Sequence, residues 1–353
     1  MESEILLINK GLNKESENTK EFNLEIISED MRKVKEMENQ IIGGDLFDVM
    51  KEIPDNSIDM VFVDPPYNLK KNYSIYDDNL SDEKYVIWCN GWLSECTRVL
   101  KSSGSLFVIN IPKWLVYHSN YLNNLAIFRH WISWDALGSP TNSKLLPAHY
   151  GILWYTKTNR PKFSSIRIPH KRDMKDELLA DWGGKKDLLH PYGKIASDIW
   201  NDIHRIRHKV RRNAHPCQLP PHLIERMILM TTEEGDVVLD PMVGTGTTAI
   251  AAKRMGRRYI GIDIDPKYVE IAKENVKFTN PTKVDGAFVS VYLKKAITIR
   301  DKDYKKLEPY LITKELKING HKTKMMKLPQ LDKKKLKGLF EQEFNQETPP
   351  IPL

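Results

Sequence analysis

The chain has little cysteine: Cys89, Cys96 and Cys217 are the three it carries in 353 residues. So few thiols in so long a chain make no disulfide framework, and none sits at metal-ligand spacing from another. Long apolar runs are missing as well. No stretch approaches the ~20 residues that a membrane-crossing helix needs. Met1 to Gln40 is charged and polar, without the apolar centre of a signal peptide. His149 and His190 have no partner at metal spacing, so no metal is expected. These absences point to a cytoplasmic protein with reduced thiols and no membrane attachment.

What is present begins with charge. The net charge is +7. Residues 158–216 hold 14 Lys+Arg against 7 Asp+Glu, and residues 283–353 hold 16 against 9, so the remainder is net acidic. Two basic segments around an acidic body suit a polyanionic partner such as nucleic acid, although charge alone serves solubility equally well. At 41% hydrophobic residues, a chain of this length can bury a sizeable core.

Strand and helix patterns alternate along much of the chain. Ile41–Asp45 reads as a short strand, Leu46–Ile53 as a helical turn or two, and Ile58–Val63 as a buried strand containing one acid. Ser81 caps a helix that runs to about Leu100, with Tyr85, Trp88, Trp92, Cys96 and Val99 at helical spacing; Ser102-Ser103-Gly104 is read as its stop. Strands follow at Ser105–Asn110, Ala126–Trp134 and Tyr150–Tyr155. Trp88, Trp92, Trp131 and Trp134 read as core more than as base platforms. Pro220–Thr231 is a helix, Val237–Asp240 a strand, Ala249–Met255 a helix and Arg258–Asp263 a strand. This alternation predicts an α/β fold with an open, mostly parallel sheet. Ala287–Arg300 reads as β structure, and the Lys-rich remainder, including the run at Lys333–Lys337, as locally helical.

Two segments carry chemistry. Asp240-Pro-Met-Val-Gly-Thr-Gly-Thr-Thr joins a strand to a helix. Gly244 and Gly246 permit a tight turn and a close backbone approach to a ligand, and the helix N-terminus offers free N–H groups. Asp263, at the end of the next strand, suits a ribose diol. Together they fit a nucleoside-containing cofactor. No Gly-Lys-Ser/Thr follows to hold a triphosphate. The second segment is Asp64-Pro65-Pro66-Tyr67, at the end of a buried strand. Two prolines cannot continue a central strand, so the strand ends in an acid, two rigid residues and a ring. Tyr67 can stack on a flat heterocycle. Asp64 and the Pro65 carbonyl can accept hydrogen bonds from an exocyclic amine, turning its lone pair toward an electrophile. A rigid turn closing a strand is the plainer reading of this segment by itself.

Taken together, the segments resemble a known family. Asp64-Pro65-Pro66-Tyr67 resembles the amino-methyltransferase motif (D/N/S)-P-P-(Y/F/W). Asp240–Thr248 resembles the S-adenosylmethionine motif D-P-F-x-G-x-G-T-T. His215-Pro216-Cys217-Gln218-Leu219-Pro220 resembles H-P-x-Q-K-P, and Gly44-Asp45 the G-D of the adenine-contacting strand. The catalytic motif precedes the cofactor motif, the permuted order of the β group of DNA amino-methyltransferases, and the resemblance spans roughly Ile41 to Lys277. Met242 stands where the family usually has Phe, and Leu219 where it has Lys.

The resemblance implies a seven-stranded, circularly permuted, Rossmann-like methyltransferase sheet with a small target-recognition insertion and a basic C-terminal extension. It implies S-adenosylmethionine as cofactor, with Asp45 at its adenine and Asp263 at its ribose. His215, Gln218, Asp240, Met242, Gly244, Gly246, Thr247 and Thr248 would surround the rest, and Cys217 is a spacer. Asp64, Pro65, Pro66 and Tyr67 would act on a flipped-out base, with Asn68 shaping the base pocket or simply making a turn. The basic cluster Arg205, Arg207, Lys209, Arg211 and Arg212 would contact phosphates of double-stranded DNA. A homodimer and a cognate restriction endonuclease are partners consistent with this reading. The D-P-P-Y spelling points to adenine N6, with cytosine N4 as the alternative. An RNA or protein methyltransferase, or a non-catalytic nucleic-acid binder on the same fold, are the other classes. The expected organisation is a polar arm (1–38), a catalytic half (39–157), a target-recognition region (158–205), a cofactor half (206–282) and the basic extension (283–353).

Overall fold

The computed structural model describes residues 32–70, 78–135, 148–168, 194–203, 218–279 and 298–303, with short strand backbones at 179–182, 185–188, 290–292, 296–300, 311–312, 316–318, 321–323 and 330–331. The order of elements is β1 (Gln40–Gly43), α1 (Leu46–Lys51), β2 (Ile58–Val63), α2 (Asp82–Val99), β3 (Leu100–Asn110), α3 (Pro112–Leu122), β4 (Ile127–Asp135) and β5 (His149–Thr156). Then come β6 (Ile166–Ile168), β7 (Lys194–Ile195), β8 (Ile199–Trp200), α4 (Pro221–Thr231), β9 (Val237–Asp240), α5 (Thr247–Arg254), β10 (Arg258–Asp263), α6 (Pro266–Lys277) and β11 (Ala296–Arg300).

The main sheet has the order β1-β10-β9-β2-β3-β5-β4-β8. All neighbours are parallel except β5, which is antiparallel to both β3 and β4. This is the mostly parallel α/β sheet that the sequence predicts. It carries eight strands where seven were expected, because the two-residue β8 adds to the edge of β4.

β2 shows why the sheet is two-sided. All six of its residues are buried, and they alternate between faces. Met60 and Phe62 pack with Phe107, Ile109 and the apolar side of α4, α5 and α6. Val61 and Val63 pack with Trp92, Leu93, Trp114 and Leu115 from α2 and α3. The acid in this strand, Asp59, is 1% exposed. Burial works to raise its pKa, yet hydrogen bonds from Lys101 Nζ (2.7 Å), the Val237 amide (3.0 Å) and Lys162 Nζ (2.9 Å) hold it below the ordinary carboxylate range.

Three readings need correction. Ser102-Ser103-Gly104 does not stop a helix: α2 ends at Val99 and β3 already runs from Leu100. Leu100 and Ser105, on either side of the stretch, pair with Ile58 and Met60 of β2, and Leu100 packs on Gly104, where an added Cβ would come within 2.8 Å of Leu100 Cδ1. Helices α3 and α6 escaped the pattern reading, although each opens with a proline in its first turn, and Asp265 caps α6 by accepting from the Lys267 amide at 2.9 Å. The described pieces of 311–331, read as locally helical, are short strands. The tryptophan reading holds for Trp92 and Trp134, both buried, while Trp88 is half-buried. No helix among the described residues is long and apolar enough to cross a membrane.

Candidate active site

β9 and β2 lie side by side and parallel, with Val238 opposite Met60 and Leu239 opposite Val61. Chain order reverses between these two strands, so the turns that follow them diverge and leave a crevice at their carboxyl ends. The turn after β9 begins at Asp240, and the turn after β2 begins at Asp64. One cleft is lined by Asp45 from the β1–α1 turn, Asp64 to Tyr67, Gln218, Asp240, Met242, Gly244, Thr247, Thr248 and Asp263. The structure therefore brings together both sequence motifs. Gly246 does not line this cleft. His215 and the cluster Arg205, Arg207, Lys209, Arg211 and Arg212 lie outside the described residues, as do Cys217 and His190.

In the turn after β9, the loop is built from carboxylates that accept hydrogen bonds from backbone amides. Asp263 Oδ2 accepts from the Gly244 amide at 2.8 Å and its Oδ1 from the Asp265 amide at 2.9 Å. Asp240 Oδ1 accepts from the Met242 amide at 3.0 Å and its Oδ2 from Thr248 Oγ at 2.5 Å. Gly244 and Gly246 have φ of 53° and 91°, the left-handed region that glycine enters without cost. At Gly246 an added Cβ would also come within 3.0 Å of Ala272 Cβ, so this glycine lets α5 pack on α6. Burial pushes the Asp240 carboxyl up to about 7 despite the Thr248 and Met242 bonds, and the charges of Asp64 and Asp263 add to the rise. Burial likewise raises Asp263, against the pull of its two amides.

In the turn after β2, Tyr67 is 7% exposed and its hydroxyl donates to Asp64 Oδ1 at 2.7 Å. Its ring lies 5.8 Å from that of Tyr150. Asn68 takes a left-handed φ of 54° and closes a latch. Its side chain accepts from the Leu80 amide and donates to the Leu80 carbonyl, both at 2.8 Å, while Asp78 accepts from the Asn68 and Leu69 amides at 2.7 and 3.0 Å. Asn68 thus makes a turn, one of its two sequence readings. Asp45 has a local job as well: it caps α1 by accepting from the Phe47 amide at 2.8 Å.

The cleft also has walls that motif reading missed. Trp88, Ile264, Asp265 and Tyr268 line it. Trp88 was passed over because helical spacing reads it as core. Tyr268 lies two residues beyond Pro266, on a helix the pattern did not reveal. Among the described lining residues there are five aspartates and no Lys, Arg or His. Such a wall repels phosphates and welcomes a cation with hydroxyl groups to bind.

Comparison with known proteins agrees with this geometry. The family model described as DNA methylase, which covers N6 and N4 amino-methylases, matches residues 58–274. The chain belongs to the N6/N4 DNA methylase family. Members of this family depend on S-adenosylmethionine. Type II methyltransferase M.BamHI of Bacillus amyloliquefaciens is 41% identical over 250 residues, a match covering 67% of this chain and 57% of that protein. DNA adenine methyltransferase YhdJ of Escherichia coli (strain K12) is 30% identical, over 65% of this chain and 80% of that one. Among solved structures, the cytosine-N4-specific PvuII DNA methyltransferase is similar at 19% identity and a TM-score of 0.48, over 67% of this chain and 89% of that one. The family match begins at β2 and ends within α6, so it takes in both turns of the cleft.

Proposed function

We propose that this N6/N4 DNA methylase transfers a methyl group to the exocyclic amine of a base flipped out of duplex DNA. One observation carries the reading: Asp64 to Tyr67 and the Asp240–Thr248 turn face one acid-walled cleft. The residues present fit the family's cofactor. Each Asp263 oxygen keeps a lone pair beyond its amide bond and can accept from a ribose hydroxyl. Asp45 would hold the cofactor's adenine. Gln218, Met242, Gly244, Thr247 and the Asp240–Thr248 pair would hold its methionine end, a role the family resemblance extends to His215. Gly246 sets the turn from behind. S-adenosylmethionine, when bound, supplies an electrophilic methyl group on sulfur.

The protein's own work is positioning. The target base leaves its stack and lies against Tyr67. The Asp64 carboxylate and the Pro65 carbonyl accept from its amino group, which directs the nitrogen lone pair at the methyl group. Because Tyr67 donates to Asp64 Oδ1, the incoming amine takes over an acceptor that the protein already holds in place. The nitrogen lone pair forms a bond to the methyl carbon as the carbon–sulfur bond breaks and its electron pair goes to sulfur, and the nitrogen then releases one proton to solvent. Arg205, Arg207, Lys209, Arg211 and Arg212 supply phosphate contacts.

Adenine N6 is the favoured target because of the D-P-P-Y spelling. Cytosine N4 is the second reading, for a chemical reason: both bases present an amino group beside a ring-nitrogen acceptor, and the matched family includes both activities. The setting is a restriction–modification pair with its endonuclease, or a solitary marking enzyme, and a homodimer fits either. Residues 158–205 are the proposed recognition region. The pairing of β6, inside it, with β11, in the C-terminal extension, supports a shared role for the two.

The test is label transfer from S-adenosylmethionine to unmethylated genomic DNA, followed by nucleoside mass spectrometry. Label in N6-methyladenine is the expected result. Label in N4-methylcytosine keeps the reaction and overturns the base. Label absent from DNA sinks the proposal.

A further inference from the structure

Three carbonyls follow Asp64, those of Pro65, Pro66 and Tyr67. The structure treats them differently. Tyr85 Oη, from α2, donates to the Pro66 carbonyl at 2.5 Å. Trp114 Nε1, from α3, donates to the Tyr67 carbonyl at 2.7 Å. Tyr85 and Trp114 are 0% and 1% exposed, and their rings lie 4.5 Å apart. Among the described residues, no hydrogen bond reaches the Pro65 carbonyl, and Pro65 lines the cleft.

Behind Tyr85 the bonds form a one-way chain. Asn110 donates through Nδ2 to Tyr85 Oη at 3.2 Å and lies 3.3 Å from His118 Nε2, while its Oδ1 accepts from the Ile111 amide at 2.8 Å. Burial lowers the His118 pKa to about 4, so the imidazole is neutral and its Nε2 accepts. The amide protons of Asn110 are thereby committed to His118 and Tyr85. Tyr85 Oη accepts from Asn110, and its own proton goes to Pro66.

We propose that Tyr85 and Trp114 are positioning residues: by drawing the Pro66 and Tyr67 carbonyls into the core, they leave the Pro65 carbonyl beside Asp64 as the second acceptor for the target amine. Proline fixes φ at 65 and 66, so ψ is the soft torsion that remains at each. Pinning the next two carbonyls removes that freedom before the base arrives. The inference rests on the proposed amine chemistry of the cleft.

The test compares Tyr85→Phe with Tyr155→Phe in the full-length chain. Tyr155 is a matched control on the same side of the sheet. Its ring is buried, and its hydroxyl donates to Asn123 Oδ1 at 2.7 Å and lies near Ser119, away from residues 64–67 in the hydrogen-bond network of the described residues. Both variants lose a buried hydroxyl and should lose similar thermal stability. Tyr85→Phe should lower kcat roughly ten- to a hundredfold, the scale of an ångström-level misplacement, with KM for DNA and cofactor affinity nearly unchanged. Tyr155→Phe should keep wild-type kcat. Trp114→Phe should repeat the split, and serves alone if Tyr85→Phe does not fold. Wild-type kcat in Tyr85→Phe and Trp114→Phe, or an equal loss in Tyr155→Phe, overturns the inference while leaving the proposed function standing. A wild-type protein that methylates no DNA overturns both.

Discussion

The turns after β2 and after β9 end neighbouring parallel strands and face one cleft, yet they are built by opposite means. The turn after β9 relies on glycine and carboxylate. Left-handed Gly244 and Gly246 bend it, while Asp240 and Asp263 gather its amides. The turn after β2 has no glycine. Two prolines stiffen it, and side chains from α2 and α3 take its carbonyls. The difference suits the ligands proposed for the two turns. A cofactor with hydroxyl and ammonium groups needs close backbone approach and acid partners. An amine awaiting methylation needs acceptors that do not move.

The largest effect should come from breaking the acceptor side. Asp64→Ala is expected to lower methyl transfer by roughly a hundred- to a thousandfold, the scale of a lost transition-state contact, while cofactor binding by calorimetry persists. Loss of both would mean the two turns do not work separately. Next, Asp78→Ala strips the buried acceptor from the Asn68 and Leu69 amides. Chemical denaturation should show about 2 kcal/mol lost, the scale of unsatisfied buried donors, with activity falling more than cofactor affinity. On the other turn, Gly246→Ala forces an alanine into a left-handed φ of 91° against Ala272. About 1–2 kcal/mol of stability should go, with weaker cofactor binding and a normal single-turnover rate at saturating cofactor.

The smallest effect is a pH slope. Burial pushes the Asp240 carboxyl from its ordinary 3.8 up to about 7 in the folded protein. Between those values the folded state holds the extra proton, so this group's contribution to stability declines as pH rises through the window. Asp240→Asn lacks that decline. The melting temperature of the variant minus that of the wild type should therefore climb from pH 4 to pH 8. A flat difference would show that Asp240 is already ionised.

Much of this was legible in the residues. The proline pair and the glycine pair mark turns by backbone chemistry alone, and strands such as Ile58–Val63 announce themselves by continuous apolar sequence. Helix α6 was missed although Asp265-Pro266 begins it and Val269, Ala272 and Val276 form its buried stripe. Its charged outer face diluted the pattern. The start of β3 was missed because Lys101–Gly104 is polar in sequence, while the residues that bracket it, Leu100 and Ser105, pair with Ile58 and Met60 of β2 across a register shift. Trp88 and Tyr268 could not be read as cleft walls, since their spacing along a helix says nothing about what the helix end meets.

The sequence by itself determined the strand–helix alternation, the two turns, their permuted order and the residue types facing a ligand, because these depend on torsions and contacts within a few residues. Only the tertiary structure decided that the β9 and β2 turns share one cleft, that Tyr85 and Trp114 take the Pro66 and Tyr67 carbonyls, and that burial raises the Asp240 carboxyl. Those outcomes depend on strand neighbours and helix packing between segments far apart in the chain, such as Met60 and Val238. Local propensity does not specify that.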